Sequence, residues 1–362
     1  MSAVVGEKYM RFMHMADVHL GASPDGRADW SESRKKEIWD TFRSSVEDAA
    51  RAQVDLLLIA GDLFHRQPSA VELKEVNYLF STLKKTRVVL IAGNHDYLRP
   101  DSAYLTFPWS KNVVCLFSRQ CECVRFPEIN TEVYGLSYYR QEITEPLYDG
   151  LQPARNGWEH ILLAHGGDSS HIPVSRESLS ASGFDYVALG HIHKPQVVIK
   201  NKAAYAGALS PIDCSDFGPH GYILGQCEKG RVKMEFVPKA KREYRNLTLE
   251  TEEGDTTFSL RDKLEREIEK QGWQHIYRIF FQGKRDPQMH FDLEKLMEFG
   301  MVLEVTDGTV PAFHLEELKQ KYRGQMIGRY IESFEGHDRS LTEERALQYG
   351  LEALLYPDDG RR

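Results

Sequence analysis

Two aspartates, one asparagine and four histidines in this sequence are placed where they could hold metal ions: Asp17, His19, Asp62, Asn94, His165, His191 and His193. Each follows directly on an apolar run with the composition of a buried strand, at residues 11–15, 55–60, 87–92, 160–164 and 186–189. In open α/β sheets, ligands bind in the crevice beyond the carboxyl ends of the strands. Seven metal-type side chains at five such ends point to one shared pocket. Asp17 and His19 are two residues apart, and so are His191 and His193. A turn can converge such a pair on one ion. Gly61, Gly93 and Gly190 stand beside these groups and permit tight backbone turns.

The donor types narrow the chemistry. Oxygen together with imidazole suits manganese, iron or zinc better than calcium or magnesium. The set contains no thiolate. Manganese is the first expectation, with iron, zinc or magnesium as alternatives. Two divalent ions against two carboxylates leave a net positive site. That suits an anionic phosphodiester, whose extra charge in the transition state the ions neutralise. Paired ions in such sites lie about 3.5–4 Å apart, which calls for one bridging carboxylate. A lone histidine is more often packed or solvated than functional, and His14, His160 and His275 carry no evident role. The ordered recurrence of seven ligands is what carries weight.

The elements that must position these groups are readable from periodicity. Residues 31–53 have the apolar spacing of a helix, and Ser69 with Glu72 forms a capping box that opens another. With the first three strands this gives a β-α-β-α-β opening and parallel pairing. Further strands are expected at 132–136, 160–164, 186–189, 203–206, 221–227 and 233–237. A polar, basic linker spans 238–245. Beyond it, strands at 246–250, 276–282 and 302–305 alternate with helices at 258–271 and 291–299, a small α+β unit. One helix is expected over 315–334, weakened by Gly324 and Gly328, and a last one after Ser340-Leu341-Thr342-Glu343. The expected division is a catalytic domain over 10–238, an α+β domain over 245–334 and a helical tail over 335–362.

Composition excludes several classes. Hydrophobic residues at 41% are normal for a globular chain with a core. No apolar run reaches the length of a membrane span, and the N-terminal residues 1–9 do not read as a secretory signal. Five cysteines at scattered spacing describe no disulfide framework, so reduced thiols and a cytoplasmic location are expected. The net charge is −8, of which residues 241–362 carry −6. The chain therefore has no global basic footprint, and contact with nucleic acid must be local, metal-assisted or shared with a partner.

At Asp17-Val18-His19-Leu20-Gly21, Gly61-Asp62-Leu63-Phe64-His65, Gly93-Asn94-His95-Asp96 and Gly190-His191-Ile192-His193 the chain resembles the calcineurin-like metallophosphoesterases. Within them it is similar to the SbcD-type DNA repair exonucleases, the nuclease partners of SMC-like ATPases. The likeness covers about residues 10–225; beyond 245 it is one of architecture only. It implies an α/β fold: a β-sandwich flanked by helices in four α/β/β/α layers, with a smaller α+β capping domain. It implies one ion on Asp17, His19 and His193, another on Asn94, His165 and His191, and Asp62 bridging them. It implies that His95 serves the substrate phosphate and the leaving oxygen, with Asp96 orienting it through its other ring nitrogen. His65, three residues after the bridging aspartate, is a nuclease feature with a role at the scissile phosphate.

DNA and an SMC-like (SbcC-type) ATPase are the partners this resemblance implies, with a homodimer as a further expectation. Arg66, Tyr97 and Arg99 are candidate substrate contacts; Arg27, Arg140 and Lys194 could also meet phosphates, and Tyr138 could stack on a base. The loop over 207–221, with Asp213 and Asp216, is expected to border the cleft. The last helix could dock on a coiled coil through Leu347, Leu351 and Leu354, or pack on its own unit. Two other readings compete. One is a phosphodiesterase for a small substrate such as a cyclic nucleotide. The other is a scaffold that has lost its metals.

Overall fold

The structure is a computed structural model that describes residues 9–26 and 28–356. The chain divides into two compact units between Tyr244 and Arg245. In the first unit the strands are β1 (Met10–Met15), β2 (Leu56–Ala60), β3 (Arg87–Ile91), β4 (Val113–Cys115), β5 (Glu122–Phe126), β6 (Thr131–Gly135), β7 (Glu159–His165), β8 (Tyr186–Gly190), β9 (Gln196–Ile199), β10 (Ala203–Tyr205), β11 (Gly221–Glu228) and β12 (Arg231–Pro238). Its helices are α1 (Ser31–Arg51), α2 (Ala70–Ser81), α3 (Ala103–Thr106) and α4 (Arg176–Ala181).

These strands form two six-stranded sheets, ordered β12-β11-β1-β2-β3-β4 and β5-β6-β7-β8-β10-β9. The centres of both are parallel: β1 through β4 in one, β6, β7, β8 and β10 in the other. The apolar runs explain the layering, because alternate residues of one strand serve different cores. Phe12, Leu56, Leu58, Val89 and Ile91 face Val133, Ile161, Leu163 and Ala188 between the sheets. Met13, Met15, Leu57, Ile59, Val88 and Leu90 pack outward on Ile38, Phe42 and Val46 of α1 and Val76 and Phe80 of α2. Leu162, Ala164, Val187 and Leu189 pack on the other side against Leu179 of α4 and Tyr148. A strand covered on both faces reads as continuous hydrophobicity rather than alternation, which is how these segments read. The result is the expected helix-flanked β-sandwich. The Ser69–Glu72 capping box forms as expected.

The second unit contains β13 (Tyr244–Thr251, whose first residue closes the first unit), α5 (Thr257–Gln271), β14 (Ile276–Arg285), α6 (Leu293–Met297), β15 (Val302–Asp307), β16 (Val310–Pro311), α7 (Leu315–Lys321), α8 (Met326–Glu332) and α9 (Leu341–Leu355). Its sheet runs β13-β14-β15, with β16 also on β14. Leu260, Leu264 and Ile268 of α5 close one face of that sheet. The single helix expected over 315–334 is two, because Gly324 takes a left-handed φ of 76° and breaks the run. Leu347 and Leu351 of α9 are buried against Ile331 of α8, and Glu352 pairs with Arg285 at 2.6 Å. The apolar stripe of α9 thus faces its own unit. No helix among the described residues is long and apolar enough to cross a membrane.

Candidate metal centre

β1, β2, β3, β7 and β8 all end at one edge of the sandwich, and the loops after them meet there. Asp17 and His19 follow β1, Asp62 follows β2, Asn94 follows β3, His165 ends β7, and His191 and His193 follow β8. The backbone is bent to bring them in. Asp17, His19 and Asp62 have φ values of 49°, 50° and 49°, and His191 has 97°. Left-handed backbone at non-glycine residues costs about 1–3 kcal/mol each and clusters at functional sites. Leu20 and Phe64 bridge the first two loops in parallel, and the backbone amides of Asp17 and His19 donate to the Gly61 and Asp62 carbonyls. Gly93 is required where it stands, because a Cβ there would collide with the Asp62 carboxylate.

The side chains fall into two groups with Asp62 between them, and Asp17, Asp62 and His165 also present ligand atoms within 4.8 Å of one another. His19 Nε2 and His193 Nε2 face each other at 3.1 Å, and Asp17, His19 and His193 present ligand atoms within 4.8 Å of one another. His165 Nε2 lies 2.9 Å from Asn94 Oδ1, and His191 Nδ1 lies 3.2 Å from the same oxygen. Between the groups, Asp62 Oδ2 is 3.8 Å from His19 Nε2 and 3.5 Å from His165 Nε2. The other Asp62 oxygen accepts the His95 amide at 2.8 Å.

Asp17, His19, Asp62, Asn94 and His165 are all buried. Burial works against ionisation of Asp62, yet the His165 and His19 rings outweigh it and hold its carboxyl far below the usual range. Burial pushes the His19 ring well down and takes His191 to about 4. Both are then neutral rings with a lone pair to give, the form in which imidazole binds a metal. Against burial, Asp62 raises the His165 ring and Asp216 the His193 ring to about 9, so an ion would displace a proton from each. Carboxylate oxygens, an amide oxygen and imidazoles aimed at the same two points are a donor set that fits divalent transition ions.

A family model described as calcineurin-like phosphoesterase matches residues 10–195, just over half of the chain. The chain belongs to that family. Among curated proteins, it is 30% identical over 247 residues to an uncharacterized metallophosphoesterase, YhaO, of Bacillus subtilis, covering 63% of this chain and 60% of that one. It is 28% identical over 194 residues to the DNA double-strand break repair protein Mre11 of Methanocaldococcus jannaschii, covering 51% and 52%. It is 22% identical over 382 residues to the SbcD component of the nuclease SbcCD of Staphylococcus saprophyticus, covering 96% and 99%. The match thus spans only about half to three-fifths of the first two relatives.

In this calcineurin-like phosphoesterase the remaining predicted residues fall unevenly. His65 and His95 stack with ring centroids 5.0 Å apart, and both rings stand edge-on to His19. Asp96 does not orient His95. It is fully buried and accepts from the Gly93 amide at 2.8 Å, the Phe64 amide at 3.1 Å and the Tyr104 hydroxyl at 2.7 Å. The turn folds Asp96 back under the loop, and the His95 Nδ1–H donates instead to the His65 carbonyl at 3.2 Å. Tyr138 is not a base platform either, for it is 0% exposed and stands edge-on to His165.

Tyr97 is half-buried. The arginines of these loops are engaged by carboxylates: Arg66 with Glu72 at 3.0 Å, Arg99 with Asp101 at 2.6 Å and Arg140 with Glu145 at 2.7 Å. Lys194 is exposed, and Arg27 lies outside the described residues. Two residues that sequence reasoning missed sit beside the cluster. Asp168 accepts from His191, and Asp216 accepts from His193. The first lies three residues beyond His165 without a motif to flag it. The second stood out only as an acidic residue in the 207–221 loop.

Proposed function

We propose that this chain hydrolyses DNA phosphodiester bonds at a pair of divalent ions, as the nuclease component of a repair complex with an SMC-like ATPase. The observation that carries the two-ion reading is the Asp62 Oδ2 oxygen, which lies within 3.8 Å of the imidazoles of both ligand groups. Asp17, His19 and His193 would hold one ion, and Asn94, His165 and His191 the other. Manganese is the proposed metal on the mixture of oxygen and imidazole donors. Bound there, the ions would polarise the phosphoryl oxygens and lower the pKa of a bound water.

The chain's own groups do the rest. His95 has Nδ1–H fixed on the His65 carbonyl, so that in its imidazolium form the Nε2 proton would go to the departing sugar oxygen and leave the neutral ring. His65 stacks against it and would touch the scissile phosphate. Residues 245–334 are proposed as the cap. DNA as substrate rests on His65 and on the relatives named as a double-strand break repair protein and as part of a nuclease. The test is an assay of the purified chain on end-labelled linear DNA with and without manganese. Cleavage should require the ion and should vanish in Asp62→Ala. Turnover of a cyclic nucleotide with no cleavage of DNA would overturn the substrate assignment.

A further inference from the structure

We propose that Asp168 and Asp216 are positioning residues, one for each ion, that select which ring nitrogen His191 and His193 offer to the metal. The proposal rests on the two-ion reading above and adds two side chains outside the ligand set.

A neutral imidazole has one N–H and one lone pair. An ionised carboxylate only accepts hydrogen bonds, so the nitrogen facing it must carry the hydrogen. His191 Nε2 lies 2.7 Å from Asp168 Oδ2. Its lone pair is therefore on Nδ1, the atom 3.2 Å from Asn94 Oδ1. His193 is the reverse. Its Nδ1 lies 3.1 and 3.2 Å from the two Asp216 oxygens, so its lone pair is on Nε2, the atom 3.1 Å from His19 Nε2. Two histidines two residues apart thus present opposite nitrogens to opposite ligand groups. A backbone carbonyl does the same for His165, whose Nδ1–H donates to Ala60 at 2.9 Å and leaves the lone pair of the neutral ring on Nε2, the atom 2.9 Å from Asn94 Oδ1.

The two carboxylates are held differently. Asp216 is buried and fixed in its loop by the amides of Ile212 at 2.9 Å and Asp213 at 3.1 Å. Asp168 is 46% exposed and accepts the Ser170 amide at 2.7 Å and the His171 amide at 2.9 Å. It also pairs with the His171 ring at 3.0 Å. Partners of this kind fix the tautomer and orientation of a ligating ring, and losing one typically costs 10–100-fold in metal affinity.

The experiment is calorimetric titration of the full chain with manganese. The wild type should take up two ions. Asp168→Asn should weaken one of them 10–100-fold and should have no further effect in an Asn94→Ala background, where that ion is already impaired. Asp216→Asn should weaken the other by a similar factor and should do so equally in the Asn94→Ala background. Asparagine keeps an oxygen for the loop amides, and thermal unfolding in chelator checks that the loop has survived. Losses that track a lowered melting temperature would assign Asp216 a structural role only and overturn its half of the proposal. Two ions bound with unchanged affinity in both aspartate variants would overturn all of it. A wild type that binds no ion would overturn the two-ion reading itself, and this proposal with it.

Discussion

His95 and His14 show how far burial and hydrogen bonding separate two histidines that look alike in a sequence. His95 is tied by one nitrogen and leaves the other for chemistry. His95→Gln should lower kcat about 10²–10⁴-fold, the usual contribution of a positioned proton donor. Manganese affinity should stay within a factor of a few, because His95 is outside the ligand set. Wild-type turnover in this variant would end the assignment. His14 lies in β1, fully buried, with Nδ1 2.9 Å from the Tyr186 hydroxyl. Burial pushes its pKa from 6.5 down to about 3. Between those values the unfolded chain binds a proton that the folded chain refuses. Stability should therefore fall as pH drops from about 6.5 toward about 3, at up to about 1.4 kcal/mol per pH unit from this group. Urea unfolding at pH 6.5 and pH 4.5 should show a larger loss for the wild type than for His14→Gln, and parallel losses would remove His14 from the account. The convergence of the seven candidate ligands was legible because each follows its strand directly. Asp96 and Tyr138 were not, since their direction depends on the turn that the backbone takes after β3 and on packing beyond β6.

Among the elements, the strand ends do the positioning, and the glycines set how closely they approach. Gly93 sits against the Asp62 carboxylate with no room for a Cβ, so Gly93→Ala must displace either β3's exit or the shared carboxylate. Forced overpacking costs about 1–3 kcal/mol. The expected result is a loss of stability in that range together with weaker uptake of both ions, since Asp62 faces both groups. Denaturant unfolding in chelator and manganese titration read the two effects separately. Uptake of both ions at wild-type affinity would show that the carboxylate does not need that contact. The buried parallel strands were legible as apolar runs, and α1, α2, α5 and α9 as periodic helices with caps. The short strands β4, β5, β9 and β16 were not, because they lie toward the margins of their sheets with few residues to show a period. The break between α7 and α8 was signalled by Gly324 but not placed, because a glycine weakens a helix without always ending it, as Gly328 within α8 shows.

For the whole molecule the charge balance decides how DNA would be held. The net charge is −8, and Arg66, Arg99 and Arg140 are each engaged by a carboxylate. Proteins that bind DNA through a basic surface release many counterions, and log Kobs falls against log salt with a slope of about −0.9 per phosphate neutralised. Under the proposed function, neutralisation would fall chiefly to two bound ions and a few loop cations such as Lys194. Binding of linear DNA in manganese by an Asp62-intact, His95→Gln chain should therefore show a shallow slope, on the order of −3 or less steep. Chelation should weaken binding far more than a doubling of salt does. Each ion should also stabilise the first unit, by about 2.7 kcal/mol at a hundred times its dissociation constant. A slope on the order of −6 or steeper without any ion would mean that a basic surface carries the DNA. The metal-assisted mode of binding argued from the charge distribution would then be wrong.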